Sequence, residues 1–132
     1  MTFDKLVYHE ACRPAPGSVL TVDFGGIGEL TLKSVPGGEV NWRRLTRPLL
    51  DVLQSKLDAC DFGTWRDEYS ASAADSFHWG LELFDGGKPV RRISGGSTLP
   101  EQWPAFRSIL ELCGALAENR NNRNHRMPNE KQ

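Results

Sequence analysis

The fold is decided by residues 77–87, which read Phe77-His78-Trp79-Gly80-Leu81-Glu82-Leu83-Phe84-Asp85-Gly86-Gly87. Large apolar residues occupy every second position from Phe77 to Leu83, and a period of two predicts a β-strand with one buried face. The sequence Asp85-Gly86-Gly87 is typical of a tight hairpin turn. Val90 and Ile93 follow the turn, so we expect an antiparallel return strand.

The same hairpin pattern occurs earlier in the chain. Residues 3–12 carry the apolar residues of a first strand. Residues 19–24 and 29–33 alternate between apolar and polar, and the glycine-rich segment 25–28 joins them, which predicts a second β-hairpin. The first part of the chain is therefore expected to form three strands, the third of which ends at Pro36-Gly37-Gly38.

Two other stretches have the spacing of amphipathic helices. Thr46 and Pro48 are typical of a helix start, and the leucines that follow form a stripe down to Leu57. For the second helix, Thr98 and Glu101 have the spacing of a capping box. Its apolar face is expected to run from Trp103 to Leu116.

These elements together predict an α+β domain in the order β-β-β-α-β-β-α. Because the strands arrive as hairpins, we expect a largely antiparallel sheet of about five strands, with both helices packed on one face. The domain is expected to span residues 1–118. Residues 119–132 are rich in asparagine and arginine and have no apolar periodicity, which predicts a polar, disordered tail.

Composition argues against several classes of function. The chain has 132 residues and a net charge of −1, so one domain is expected and no overall field favours nucleic acid or anionic membrane. No apolar run approaches the roughly 18 residues that cross a bilayer, and no secretory signal is evident, so a cytoplasmic location is expected. The three cysteines are widely separated, which favours neither a disulfide framework nor zinc. No cofactor is expected.

His78 and Glu82 are the strongest candidates for chemistry. Alternation places both on the sheet face opposite Trp79, where they would form an acid–base pair. A solvated sheet face is the alternative interpretation. The glycine-rich segments 25–28 and 94–98 lack the context of a phosphate loop, so turns are the favoured interpretation.

Acidic charge is concentrated in residues 51–85, which hold eight acidic side chains against only Lys56 and Arg66. Such polarity steers a basic partner toward the acidic side, although a solvated rim would look the same. Trp65 and Tyr69 lie in an irregular part of this segment. They are interpreted either as anchors of a recognition surface or as residues that fold back to close the end of the sheet. The predicted protein-binding residues are Asp58, Asp61, Trp65, Asp67, Glu68, Tyr69 and Asp75.

A longer pattern, in residues 65–106, also occurs in small bacterial proteins. It comprises Trp65 and Tyr69, a tryptophan-led strand from Trp79, the turn Asp85-Gly86-Gly87, a return strand ending in Ser94-Gly95, and a helix after Pro100 that contains Trp103 and Phe106. In these features the chain resembles the immunity proteins of bacterial toxin systems and other small phage-conflict factors. The resemblance implies a domain that neutralises a partner protein, and it supplies no catalytic residues.

The leading hypothesis is therefore a non-enzymatic protein-binding domain whose partner has a basic surface. One alternative is a small enzyme or ligand-binding module that uses His78 and Glu82. Another is an accessory protein that contacts nucleic acid through Arg120, Arg123 and Arg126. No stacking aromatic accompanies these arginines, so nucleic-acid binding is not favoured. The oligomeric state is left open.

Overall fold

In the described part of the chain, six antiparallel strands form one sheet, and two helices accompany it. The computed structural model describes residues 2–26, 28–35, 37–69 and 76–126. In chain order the elements are β1 (Lys5–Cys12), β2 (Gly17–Asp23), β3 (Glu29–Val35), β4 (Val40–Arg44), α1 (Arg47–Asp58), a 3-10 turn (Phe62–Thr64), β5 (Phe77–Asp85), β6 (Lys88–Gly95) and α2 (Trp103–Arg126). The predicted α+β class and the antiparallel sheet are confirmed.

The strands lie in the order β4-β3-β2-β1-β5-β6. The two predicted hairpins form the two halves of the sheet, and β1 joins them by pairing with β2 on one side and β5 on the other. In this register Tyr8 stands opposite both Leu20 and Leu81. The alternation read from each strand alone therefore places its apolar residues on one common face.

The sheet has one strand more than expected, because β4 was not predicted. This strand follows the Gly37-Gly38 turn and pairs with β3. It is short, it lies at the edge, and its outward residues Val40 and Trp42 are exposed. An edge strand with little burial has no clear hydrophobic pattern, so its five residues resembled a loop.

Helix α1 begins as the sequence predicts. The Thr46 Oγ1 atom accepts a hydrogen bond from the Leu49 N–H at 3.4 Å, and Pro48 lies in the first turn, where a missing N–H costs nothing. Leu50, Leu53 and Leu57 form the buried face. Complete burial of each such side chain stabilises the fold by about 2 kcal/mol.

Helix α2 departs from the prediction at both ends. It begins at Trp103, with Thr98 outside it, so the predicted capping box is wrong. Residues 98–102 form an approach to the helix in which the Trp103 N–H donates to the Pro100 carbonyl at 3.1 Å. The helical backbone continues to Arg126, past the predicted domain boundary at residue 118.

The two helices cover one face of the sheet, α1 through its leucines and α2 through a cluster of aromatic rings. Phe106 and Trp103 from α2 contact Tyr8 on β1, at ring-centroid distances of 5.4 and 6.2 Å. Trp103 also lies 4.9 Å from Trp79 on β5. These edge-to-face and tilted contacts, together with the buried leucines of α1, make up the hydrophobic core.

Candidate functional site

The opposite face of the sheet carries no helix from the described part of the chain, and we call it the open face. Strand register arranges its side chains in rows that run from the β6 edge to the β4 edge. One row comprises Ser94, Gly80, His9, Val19, Lys33 and Val40. The next comprises Arg92, Glu82, Val7, Thr21, Thr31 and Trp42. The face thus carries both apolar and polar side chains, with charged groups near both edges.

Gly80 forms the floor of a recess in the open face. The His9 ring lies over it, so a Cβ atom at position 80 would be 2.0 Å from His9 Nε2. The recess has a volume of about 280 Å³ and is also lined by Glu82, Arg92 and Ser94. The histidine therefore occupies space that any side chain at position 80 would take.

An ion pair flanks this recess. The Arg92 guanidinium donates to Glu82 Oε2 from both Nε, at 3.0 Å, and Nη2, at 2.7 Å. Two donors on one oxygen hold the carboxylate in place across the β5–β6 ladder. The pair presents a positive and a negative group side by side at the rim of the recess.

His78 and Glu82 both lie on the open face, as predicted, but they do not form an acid–base pair. They are four residues apart on one strand, which separates them by roughly 13 Å. Glu82 is bound by Arg92, and His78 Nε2 lies 3.4 Å from Nη2 of Arg13. The histidine near Glu82 is instead His9, which the sequence analysis missed. The alternation of β1 was the signal that could have found it, because it places His9 on the face opposite to the one that carries Leu6 and Tyr8.

Of the acidic residues predicted to bind protein, Asp58 ends α1, and Asp61, Asp67 and Glu68 lie on the connection that follows it. Asp58 and Asp61 are exposed and line one shallow cavity of about 220 Å³ with Phe3 and Phe62. Asp61 has a left-handed backbone conformation, with φ of 56°, at the start of the 3-10 turn. These two carboxylates therefore share one exposed corner below the end of α1.

Asp67 and Glu68 lie at the β6 edge of the sheet. The Ser94 N–H donates to the Asp67 carbonyl at 3.0 Å, and the Tyr69 N–H donates to the Ser94 carbonyl at 2.8 Å. Glu68 pairs with Ser94 in this short parallel bridge. Paired residues share a sheet face, so Glu68 extends the Gly80 row of the open face. Asp67 instead forms an ion pair with Arg91 at 3.1 Å.

Trp65 and Tyr69 belong to the hydrophobic core, so their interpretation as interface anchors is wrong. The Trp65 ring packs 4.8 Å from Phe62, and its Nε1–H donates to the Cys60 carbonyl at 2.9 Å. Tyr69 packs 5.9 Å from Trp79. Both side chains fold back and close the end of the sheet, as the alternative interpretation of the sequence predicted. Asp75 lies outside the described residues.

A second polar cluster lies on the helix side of the sheet. Glu10 Oε1 accepts a hydrogen bond from the Tyr8 hydroxyl at 2.9 Å and from Arg107 Nη1 at 2.6 Å. Burial and the charge of Glu10 raise the pKa of Tyr8 well above its ordinary value, while the hydrogen bond with Glu10 raises the pKa of Arg107. The cavity beside these groups has a volume of only about 160 Å³. The cluster ties α2 to β1 and leaves little room for a ligand.

Comparison with known proteins adds no assignment. No family model matches the sequence, and no curated protein matches it significantly. Within residues 2–26, 28–35, 37–69 and 76–126, no three His, Cys, Asp or Glu side chains are grouped so that they could hold a metal ion. The helices of that same part of the chain include none with the length and apolarity to cross a membrane.

Proposed function

We propose that this chain is a protein-binding domain that neutralises a partner by covering part of its surface, in the manner of toxin-immunity proteins. The proposed binding surface is the β6 half of the open face, from Glu68 across the Gly80 recess to Val19. The observation that carries the proposal is this recess, in which a glycine floor, the His9 ring and the Glu82–Arg92 pair offer varied contacts on an uncovered sheet face.

The size of the recess favours a protein side chain as its occupant. Its volume of about 280 Å³ falls just below the range of roughly 300–1,000 Å³ found for small-molecule pockets. It lies on a sheet face without surrounding walls, which suits one side chain inserted from a larger surface. Such a central side chain, surrounded by less critical contacts, is the usual anatomy of a binding hot spot.

The charges around the recess favour a partner with a basic surface. Glu68 ends the Gly80 row, and Glu82 lies at the rim of the recess. Asp67 and the Asp58–Asp61 corner are exposed on the adjoining connection. A lysine or arginine of the partner that entered the recess would lie beside the Glu82–Arg92 pair and near Glu68, and the field of the exposed carboxylates around the recess would accelerate its approach.

The chain's own arrangement at Glu82 also favours binding over catalysis. A general base needs a carboxylate or imidazole within hydrogen-bond reach of a reacting group. Glu82 is instead engaged by two nitrogens of Arg92, and His78 lies near Arg13. These side chains make structural contacts with neighbouring arginines, so we do not propose catalysis at this site.

The test begins with capture of a partner on the immobilised chain and continues with affinities of matched variants. Glu68→Lys is expected to weaken the complex about tenfold, mainly through slower association, because steering is lost. His9→Ala is expected to weaken it through faster dissociation, because His9 contacts the bound side chain directly. Glu111→Lys makes the same charge change on α2, and it is expected to leave the affinity unchanged.

A different result would reject this surface. If Glu68→Lys and His9→Ala both leave the affinity unchanged while Val52→Lys on exposed α1 abolishes binding, the interface lies on the helices. Circular dichroism and thermal unfolding of each variant establish that the fold is intact. Inhibition of the captured partner's own activity by the wild-type chain then tests the neutralising role.

A further inference from the structure

The two ends of the open face differ in charge. At the β4 end, Lys33 of β3 and Arg44 of β4 point to this face, and both are exposed. Glu29 is the acidic residue that shares the face with them, and it stands opposite Arg44 at the end of the ladder. The β6 end is instead extended by Glu68. The two ends therefore suit ligands of opposite charge.

The basic side chains at the β4 end are free of the ion pairs that engage other basic residues. Arg91, Arg92 and Arg107 each have a nitrogen within 3.1 Å of a carboxylate oxygen. Lys33 and Arg44 form no ion pair within the part of the chain that the structure describes. Two positive charges are thus available to an anionic ligand.

The exposed ring of Trp42 lies between these two charges. Trp42 precedes Arg44 by two positions on β4, so both side chains point to the open face. It stands opposite Thr31, which is two positions from Lys33 on β3. Trp42 is 42% exposed. The flat ring is therefore accessible on a surface that has a free cation to either side of it.

Helix α2 lies on the other side of β4. It packs against this strand, and on that side the Oδ1 atom of Asn41 is buried. The strand is thus supported from behind, while Trp42 stays accessible in front. An aromatic ring on a supported strand loses little conformational freedom when a ligand binds, which favours affinity.

We propose that this end of the open face, formed by Thr31, Lys33, Trp42 and Arg44 and here called the β4 platform, binds single-stranded nucleic acid. A base stacks on Trp42, and Lys33 and Arg44 contact the phosphates on either side of that base. Thr31 offers a hydroxyl beside the ring. Every base has a flat face, so the platform binds with little sequence preference. The site lies beyond the proposed partner-binding surface, which ends at Val19.

Stacking distinguishes a single strand from other anionic ligands. An acidic protein segment would satisfy the two charges but would leave the Trp42 ring without a flat partner. A duplex keeps its bases stacked inside the helix, where Trp42 does not reach them. A single strand supplies an anionic backbone together with exposed bases. The arginines near the end of the chain lack a stacking aromatic, and the fold provides one on the β4 platform instead.

Tryptophan fluorescence tests the stacking directly. The other three tryptophans are buried, so quenching by an oligothymidylate of about 12 nucleotides reports on Trp42. We expect saturable quenching with a Kd on the order of 10⁻⁵ M at low salt. Trp42→Phe should abolish the quenching. Trp42→Ala should raise the Kd of a fluorescein-labelled strand about tenfold or more, as measured by anisotropy.

Salt dependence tests the charges. Two phosphate contacts predict that the logarithm of the association constant falls against the logarithm of salt concentration with a slope of about −1.4, or about 0.7 for each contact. Lys33→Ala and Arg44→Ala should each reduce this slope by about 0.7, whereas Trp42→Ala should leave it unchanged. Lys56→Ala removes an exposed positive charge from α1 and should change neither slope nor affinity. Circular dichroism establishes that each variant is folded.

Three results would overturn the proposal. The first is the absence of quenching at about 1 mM strand, a hundredfold above the expected Kd. The second is a duplex or polyglutamate that binds as tightly as the single strand. The third is loss of binding in Arg120→Ala/Arg123→Ala while Trp42→Ala still binds, which would place the site at the end of α2.

This proposal and the proposed function fail separately. His9→Ala alters the Gly80 recess and should leave binding of the oligothymidylate unchanged. Trp42→Ala alters the β4 platform and should leave capture of the protein partner unchanged. An oligothymidylate that binds normally to a chain without a protein partner would therefore reject the proposed function alone.

Discussion

The imidazole of His9 lies over Gly80 on the neighbouring strand, and a Cβ atom at position 80 would be 2.0 Å from its Nε2 atom. The two residues stand directly opposite each other in the β1–β5 ladder. His9 is exposed, so its ring can rotate toward solvent if position 80 gains a side chain. Gly95, opposite Trp79 on β6, has no such freedom, because its Cβ would be 2.9 Å from both Trp79 Cζ2 and Tyr69 Cβ.

Alanine at these two glycines should therefore have different effects. Gly95→Ala is expected to destabilise the fold by about 1–3 kcal/mol, because the added methyl group overpacks two buried aromatic residues. Gly80→Ala should change stability by less than about 1 kcal/mol, since His9 moves away and the unfolded chain loses entropy. Urea unfolding of both variants measures the difference. Equal losses would show that His9 cannot leave its position over Gly80.

Arg91 holds the connection between α1 and β5 against the sheet. Its Nη2 atom donates to the Trp65 carbonyl and pairs with Asp67, and the side chain is 16% exposed. Arg91→Ala is expected to cost about 2 kcal/mol, the usual value of a hydrogen bond from a charged group. Arg92, which is 75% exposed, serves as the control, and Arg92→Ala should cost less than about 1 kcal/mol. Comparable losses in thermal unfolding would contradict this role of Arg91.

The buried stripe of α1 predicts a sharp contrast between adjacent residues. Leu53 is completely buried in the hydrophobic core, whereas Val52 is exposed. Leu53→Asp should unfold the domain, because an unpaired charge in the core costs several kcal/mol, a large part of the roughly 5–15 kcal/mol that holds a domain together. Val52→Asp should retain the cooperative transition seen by circular dichroism. A cooperative transition in Leu53→Asp would show that α1 packs differently.

Stability should fall at alkaline pH partly because of Cys113. Burial raises the pKa of its thiol from 9.0 to about 12. Between these values the thiol ionises in the unfolded chain but stays protonated in the fold. The stabilisation is therefore complete below pH 9 and is lost as pH rises, at up to about 1.4 kcal/mol per pH unit.

Chemical denaturation at pH 8 and at pH 10 measures this loss. Cys113→Ala should lose less stability between the two pH values than the wild type, by about 1 kcal/mol. Cys12 is exposed, so Cys12→Ala should behave as the wild type does. Identical pH dependence in all three chains would mean that Cys113 ionises in the folded state.

The predictions from sequence were correct for features that depend on residues close together in the chain. Thr46 caps α1, and the leucine stripe of that helix is buried, because a cap and a helical face depend on residues within a few positions of one another. The prediction failed at β4, where the side chains that alternate most clearly are the exposed ones. It also counted Trp65 and Tyr69 among the binding residues although both are buried, because an aromatic residue in an irregular segment packs either inward or outward.

The sequence by itself determined which side of each strand is apolar, because side chains alternate along an extended backbone and this needs no knowledge of neighbours. Only the tertiary structure decided which strands lie side by side, since pairing depends on contacts between distant parts of the chain. Pairing of β1 with β5 places His9 over Gly80, and pairing of residues 67–69 with β6 turns Tyr69 inward while Glu68 extends the open face. Burial of the apolar residues on one face fixes the orientation of each strand. The long-range pairings of the strands then determine which polar groups meet on the open face.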